Sequence, residues 1–355
     1  MSLSVPLPLA ACFCFFTALV IALYATPMAA RGAIRFGLID VPDGGLKNHR
    51  RPVPYLGGLA VYASFILTMA LVFDFERRVL GLLLAGAVLV LLGLIDDLGV
   101  LGVGPKFLGQ GFATWVLMKS GIAIQIAALP SWVNFLLTIV WIVGMTNAFN
   151  IIDIMDGLAA GTALIACAFL LVVAILDAQP SIVMIIATLM GSLLGFLRYN
   201  IHPARIFLGD TGSLFIGMML GALAMIGKYD RVNPIGYVTP LLILAVPAFD
   251  TMYVMALRAA AGRNPLRGSP DHFPLRLRRL GLPVPRVVGV TWSVGVLLGF
   301  AALLNLRLPG GASAWFVSGI AAALLIAGAL LARVNMHPRA VTAETAGRVA
   351  VGGRG

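Results

Sequence analysis

Eleven apolar runs separated by short polar loops constrain this chain more than any other feature. They lie at 7–29, 55–73, 79–95, 107–127, 131–146, 157–176, 181–197, 213–227, 236–257, 287–306 and 315–333. A bilayer span takes roughly 20 apolar residues as a helix. No water reaches that layer, so the backbone must satisfy its own hydrogen bonds, and helices follow. Composition agrees: 60% of residues are hydrophobic and only 11% are charged, which no soluble domain of this length matches. The prediction is an all-α integral membrane protein of about 11 transmembrane helices. The first run is long for a signal peptide and no basic residue precedes it, so it reads as a retained span. No linker, low-complexity segment or clear repeat divides the chain. Residues 1–334 read as a single polytopic membrane domain, and 335–355 as a disordered polar tail.

The formal net charge is +11. The basic residues are scattered in short loops, so membrane orientation explains them and a nucleic-acid partner is not expected. With the N-terminus outside, the inner loops are 30–54, 96–106, 147–156, 198–212 and 258–286, plus the tail from Arg333. These hold 19 Lys and Arg residues, against 5 in the outer loops. Lys119 is left near the outer end of the fourth run, where it can snorkel. The acids sort the same way: Asp96, Asp97, Asp153, Asp156, Asp210 and Asp271 all fall inside, with Asp250 near the inner end of its run. Every polar cluster thus faces one compartment. The prediction is a multi-pass membrane protein with a cleft on the cytoplasmic side. Cys12, Cys14 and Cys167 have neither zinc-ligand spacing nor a disulfide framework.

Five inner segments carry chemistry. In NAFNIIDIMDGLAAG (147–161), Asn147, Asn150, Asp153 and Asp156 recur every three residues and would crowd one face of a helical turn. In LIDDLG, the adjacent acids Asp96 and Asp97 point in different directions on a helix, so one can bind a metal while the other acts as a base. In FLGDTGSL, Gly212 and Ser213 at a helix start suit an anion. Asp210 beside them suggests a bridging Mg²⁺, a cation that prefers hard oxygen ligands. In LKNHRRPVPYLGG and RNPLRGSPDHFPLRLRRLG, Lys47, His49, His272 and Arg276 sit among further basic residues that can hold phosphates. The glycines Gly57 and Gly58 allow close backbone approach. The bland readings are a solvated helix end, an ordinary cap and positive-inside anchoring. Together the groups fit a diphosphate bridged by a divalent cation, and an enzyme that joins it to a lipid.

From about Asp40 to Leu280 these motifs, in this order, resemble the polyprenyl-phosphate N-acetylhexosamine-1-phosphate transferases of glycosyltransferase family 4. That is the superfamily of the phospho-MurNAc-pentapeptide translocase. The resemblance implies transfer of a sugar 1-phosphate, such as GlcNAc 1-phosphate, from a UDP-sugar to polyprenyl (undecaprenyl) phosphate. UMP is released, and the product initiates a cell-envelope glycan. It implies Mg²⁺, with Mn²⁺ as an alternative, and leaves a homodimer open. By resemblance Asp210 and Asn150 would serve the metal, and Asp96, Asp97, Asp153 and Asp156 the chemical step. Lys47, His49, Asn147, Asn150, Phe207, Gly212, Ser213, His272 and Arg276 would bind substrate, with Phe207 against the uracil.

Two departures stand out. VPYLGG replaces the Thr-Pro-Thr-Met-Gly-Gly pattern of the peptidoglycan branch, which places the chain nearer the O-antigen and teichoic-acid branch. DHFPLRL keeps His272 but has Leu275 and Arg276 where a further His is expected. The rival class, a transporter of an anionic or lipid-linked substrate, predicts charged groups near mid-span. Only Asp250 and Lys119 lie inside the predicted runs.

Overall fold

In the computed structural model, residues 6–41, 52–72, 76–265 and 268–336 are described. The order is α1 (Leu7–Arg35), β1 (Ile39–Asp40), β2 (Val53–Pro54), α2 (Gly57–Val72), α3 (Arg77–Asp97), α4 (Val103–Lys119) and α5 (Ser131–Ile152). There follow α6 (Leu158–Leu176), α7 (Pro180–Asn200), α8 (Gly209–Ile226), α9 (Thr239–Ile243) and α10 (Ala245–Ala260). The chain closes with α11 (Phe273–Arg279), α12 (Val284–Asn305) and α13 (Gly310–Ala332). The sole sheet among these residues is the antiparallel pair β1–β2.

Every predicted apolar run falls on a helix. Among the described residues eight helices are long and apolar enough to cross a membrane, or nine if a bent pair counts as one span. The other two, α2 and α4, have 16 and 17 residues. At 1.5 Å per residue, α2 reaches about 24 Å against a hydrocarbon layer of about 30 Å.

Two boundaries differ from expectation. The run at 107–127 is helical only to Lys119, and residues 120–130 form an irregular loop. The run at 236–257 is not one helix: α9 and α10 meet at 81°. Pro247 explains the break. It has no N–H for the carbonyl of Ile243, four residues back, and α9 ends there.

Helices α7 and α8 form the centre, with 72% and 78% of their spans buried, whereas α1 and α13 are 17% and 6% buried and stand at the periphery. Helix α8 packs against α2, α3, α5 and α6. Its contact with α2 is a backbone approach: a Cβ on Gly58 would lie 2.0 Å from the amide nitrogen of Gly212. Gly58→Ala is therefore expected to destabilise the protein by about 3 kcal/mol. Gly111→Ala, where a Cβ meets nothing within 4 Å, should be neutral or slightly stabilising. Thermal unfolding of the two variants in detergent checks the contrast; equal melting temperatures would refute it.

Candidate active site

The acid-bearing segments meet at one end of the bundle. The loop before α2 is stitched to the loop before α8. Phe207 N–H donates to the Pro54 carbonyl (2.9 Å), Gly57 N–H to the Phe207 carbonyl (3.0 Å) and Gly58 N–H to the Leu208 carbonyl (2.8 Å). Phe207 is half-buried beside Tyr55.

The adjacent acids at the end of α3 do different things. Both oxygens of Asp97 hold the start of α8. Oδ1 accepts from Asp210 N–H (2.8 Å), and Oδ2 from Thr211 N–H (3.1 Å) and the Thr211 hydroxyl (2.6 Å). Gly209 enters this turn at φ +73°, and a Cβ there would meet Asp97 Oδ2 at 2.8 Å. Asp96 turns elsewhere. Its Oδ2 and Asp210 Oδ2 both accept from Lys106 Nζ, at 2.5 and 2.6 Å, and Asn150 Oδ1 lies 3.4 Å from the same nitrogen. The Asn150 amide donates to Asp210 Oδ1 (2.8 Å) and to the Ser213 hydroxyl (3.0 Å).

This geometry corrects part of the sequence reading. The first N–H groups of α8 are not open to a substrate anion, because the carboxylate of Asp97 already takes them. Gly212 is a packing residue against Gly58, and Ser213 is fully buried with its hydroxyl donating to the Gly209 carbonyl. Asn147 exchanges two hydrogen bonds with Gln110, at 2.7 and 3.2 Å, and also donates to the Val143 carbonyl, so it clasps α4 to α5. Arg276 ion-pairs with Asp271 (2.8 Å) and donates to the carbonyls of Leu331, Ala332 and Val334, bracing the end of α13. His272 Nδ1 lies 2.7 Å from Asp250 Oδ2, whose partner oxygen accepts from Phe273 N–H. Asp250 is thus engaged locally. Lys119 ends α4 with its ammonium over Trp115. Neither is an isolated mid-span charge. Lys47 and His49 lie outside the described residues, as does most of the predicted tail.

The remaining acids follow α5. One oxygen of Asp156 meets His202 Nδ1 (2.7 Å) and Ala204 N–H (3.0 Å). Asp153 is half-buried and accepts no hydrogen bond among the described residues. Burial, then the charges of Asp210, Asp97 and Asp156, push its carboxyl up to about 8. A raised carboxyl favours the protonated folded state. Its stabilising contribution is complete below the ordinary value of 3.8 and is lost as pH rises to about 8. Without divalent cations, the wild-type melting temperature should fall across that window. In Asp153→Asn this component should disappear; identical pH profiles would exclude it.

No motif points to Lys106, Gln110 or His202, and Lys106 reads in the sequence as an orientation charge. The available signal was a lone Lys ten residues beyond the acid pair, one helical turn before Gln110. Among the described residues five carboxylates cluster here, with Lys106 paired to Asp96 and Asp210 and His202 to Asp156, so added positive charge would help a diphosphate to enter. Among the described residues, no three His, Cys, Asp or Glu side chains are arranged to hold a metal by themselves. The Lys106 ammonium nonetheless marks a cation position ringed by hard oxygens of Asp96, Asp210 and Asn150.

Fold and site together define a polytopic helical membrane protein with an acid-lined polar site at one end of its bundle. The profile of Glycosyl transferase family 4 matches residues 79–228. The chain is 34% identical over 301 residues to the probable undecaprenyl-phosphate N-acetylglucosaminyl 1-phosphate transferase of Bacillus subtilis, covering 82% of this chain and 83% of that one. It is 31% identical over 362 residues to the decaprenyl-phosphate N-acetylglucosaminephosphotransferase of Mycolicibacterium smegmatis, covering 91% and 88%. It is 32% identical over 298 residues to a phospho-N-acetylmuramoyl-pentapeptide-transferase of Bacillus cytotoxicus, covering 75% and 87%. The chain belongs to Glycosyl transferase family 4.

Proposed function

We propose that this protein transfers an N-acetylhexosamine 1-phosphate, of the GlcNAc type, from a UDP-sugar to polyprenyl phosphate, releasing UMP and starting a cell-envelope glycan. The names of its relatives support the lipid acceptor and the sugar phosphate. The observation that carries the reading is the cation position between Asp96, Asp210 and Asn150, inside a cluster of acids. The charge asymmetry of 19 to 5 in the loops supports a cytoplasm-facing site in the inner membrane.

Asp96 and Asp210, with the Asn150 carbonyl, would hold Mg²⁺. The hard oxygen donor set suits that ion. Bound there, it would neutralise charge on the diphosphate. The protein's own groups do the rest. Asn150 orients Asp210, and Asp97 fixes the turn that presents it. Asp153, which accepts no hydrogen bond among the described residues, would meet the acceptor phosphate. A phosphate monoester is mostly dianionic at neutral pH, so positioning outweighs proton abstraction. One lipid phosphate oxygen attacks the sugar-linked phosphorus. The new P–O bond forms as the bond to UMP breaks, and the electron pair leaves with UMP.

Two measurements test this. Purified protein with labelled UDP-GlcNAc, undecaprenyl phosphate and Mg²⁺ should yield a lipid-linked sugar and UMP. Absence of lipid product from every UDP-N-acetylhexosamine would overturn the function. Omitting the lipid should give neither a stoichiometric UMP burst nor labelled protein. Either signal would replace direct transfer with an aspartyl-phosphate route.

A further inference from the structure

The opposite end of the bundle carries a cavity of about 350 Å³. Arg78, which lines it, is near the start of α3, and Lys228 follows the end of α8. Asp96 and Asp210 sit at the other ends of these helices, so roughly 30 Å of helix separates the cavity from the acids. The cavity lies about one bilayer thickness from the acids.

Its walls are held in place. The Trp141 indole donates to the Gly221 carbonyl (2.9 Å). The loop after α4 is tied to α5: Ile124 N–H donates to the Thr138 hydroxyl (3.0 Å), and Ile126 N–H to Asn134 Oδ1 (3.2 Å). The Asn134 amide returns a bond to the Ile126 carbonyl (3.1 Å). The intervening N–H groups of Ala123 and Gln125 have no partner among the described residues, and both residues line the cavity.

The charges point the same way. Arg77 is committed to the Lys119 carbonyl, and Arg231 to Asp177 at 3.0 Å. Arg78 and Lys228 are exposed and have no carboxylate partner among the described residues. Among the described residues the one lining acid, Asp230, accepts from the Tyr237 hydroxyl (2.7 Å). The lining is therefore net positive, with unused N–H donors. Beside these donors lie Ile122, Ile124, Ile126 and Trp141. A soluble anion would leave that apolar wall unused. A phosphate attached to acyl chains would use both halves, at the depth where aromatic side chains and lipid headgroups meet.

We propose that this cavity binds the phosphate headgroup of an anionic phospholipid, with Arg78 and Lys228 facing the phosphate and the isoleucine wall facing the glycerol and upper chain. The test uses full-length protein in non-ionic detergent, followed by thermal unfolding. Dioctanoyl phosphatidylglycerol, dioctanoyl phosphatidylcholine and inorganic phosphate are titrated separately. Phosphatidylglycerol should raise the melting temperature saturably, phosphatidylcholine less, and phosphate not at all over the same range. The Arg78→Gln/Lys228→Gln pair should weaken the phosphatidylglycerol midpoint about tenfold and leave sugar-phosphate transfer unchanged. Ala123→Phe, which fills the cavity without altering charge, should abolish the response and decides the matter if the double variant does not fold. Equal responses to the two lipids, or an unchanged response in the variants, would overturn the proposal. Saturation by phosphate alone would assign the site to a soluble anion and overturn the lipid.

Discussion

Asp210→Asn is expected to lower transfer by at least about a hundredfold and to remove its Mg²⁺ dependence. Asp210 Oδ2 faces the cation position and Oδ1 accepts from Asn150. An amide is nearly isosteric but neutral, and it offers one acceptor where the carboxylate offers two. The turn should survive, because the bond that fixes it uses the backbone N–H of Asp210 rather than its side chain. Melting temperature without metal should fall modestly, since the amide gives up the ion pair with Lys106. Activity is followed by release of UMP across a Mg²⁺ titration. Near-normal activity with an unchanged titration would exclude Asp210 as the metal ligand.

The second large effect separates Asp97 from Asp96. Asp97→Ala strands the N–H groups of Asp210 and Thr211 and the Thr211 hydroxyl. Leaving such donors unsatisfied costs about 2–4 kcal/mol in total. Activity should vanish together with thermal stability, because the turn presenting Asp210 is lost. Asp96→Ala removes a carboxylate that pairs with Lys106 at the cation position and holds no backbone turn among the described residues, so its transfer rate should collapse while the melting temperature stays near wild type. Measuring both quantities on both variants decides it. A stable, inactive Asp97→Ala would return Asp97 to the chemical step.

The class of protein was legible because bilayer thickness imposes a length on apolar runs that no tertiary contact can change. The one-sided placement of the motif acids followed from counting those runs. Gly57 and Gly58 allow close backbone approach, and the approach of Gly58 to Gly212 is where that freedom is used. Less legible was the bend between α9 and α10. Pro247 carries the reason for it, but membrane helices tolerate proline when neighbours compensate, so local sequence leaves the outcome open.

Sequence by itself determined that this chain is a helical membrane protein whose acids gather at one end, and which motifs supply them. Tertiary structure alone decided what each side chain does. Asp96 and Asp97 are neighbours in sequence, but successive helical residues point about 100° apart. Which one meets α8 depends on how α3 packs against a helix whose first acid lies 113 residues away. The same holds for Lys106, which reaches Asp210 across 104 residues, and for Asn147, which meets Gln110 across 37. Motif spacing records local geometry, whereas hydrogen-bond partners are settled by contacts between helices, and a pattern within one helix does not encode them.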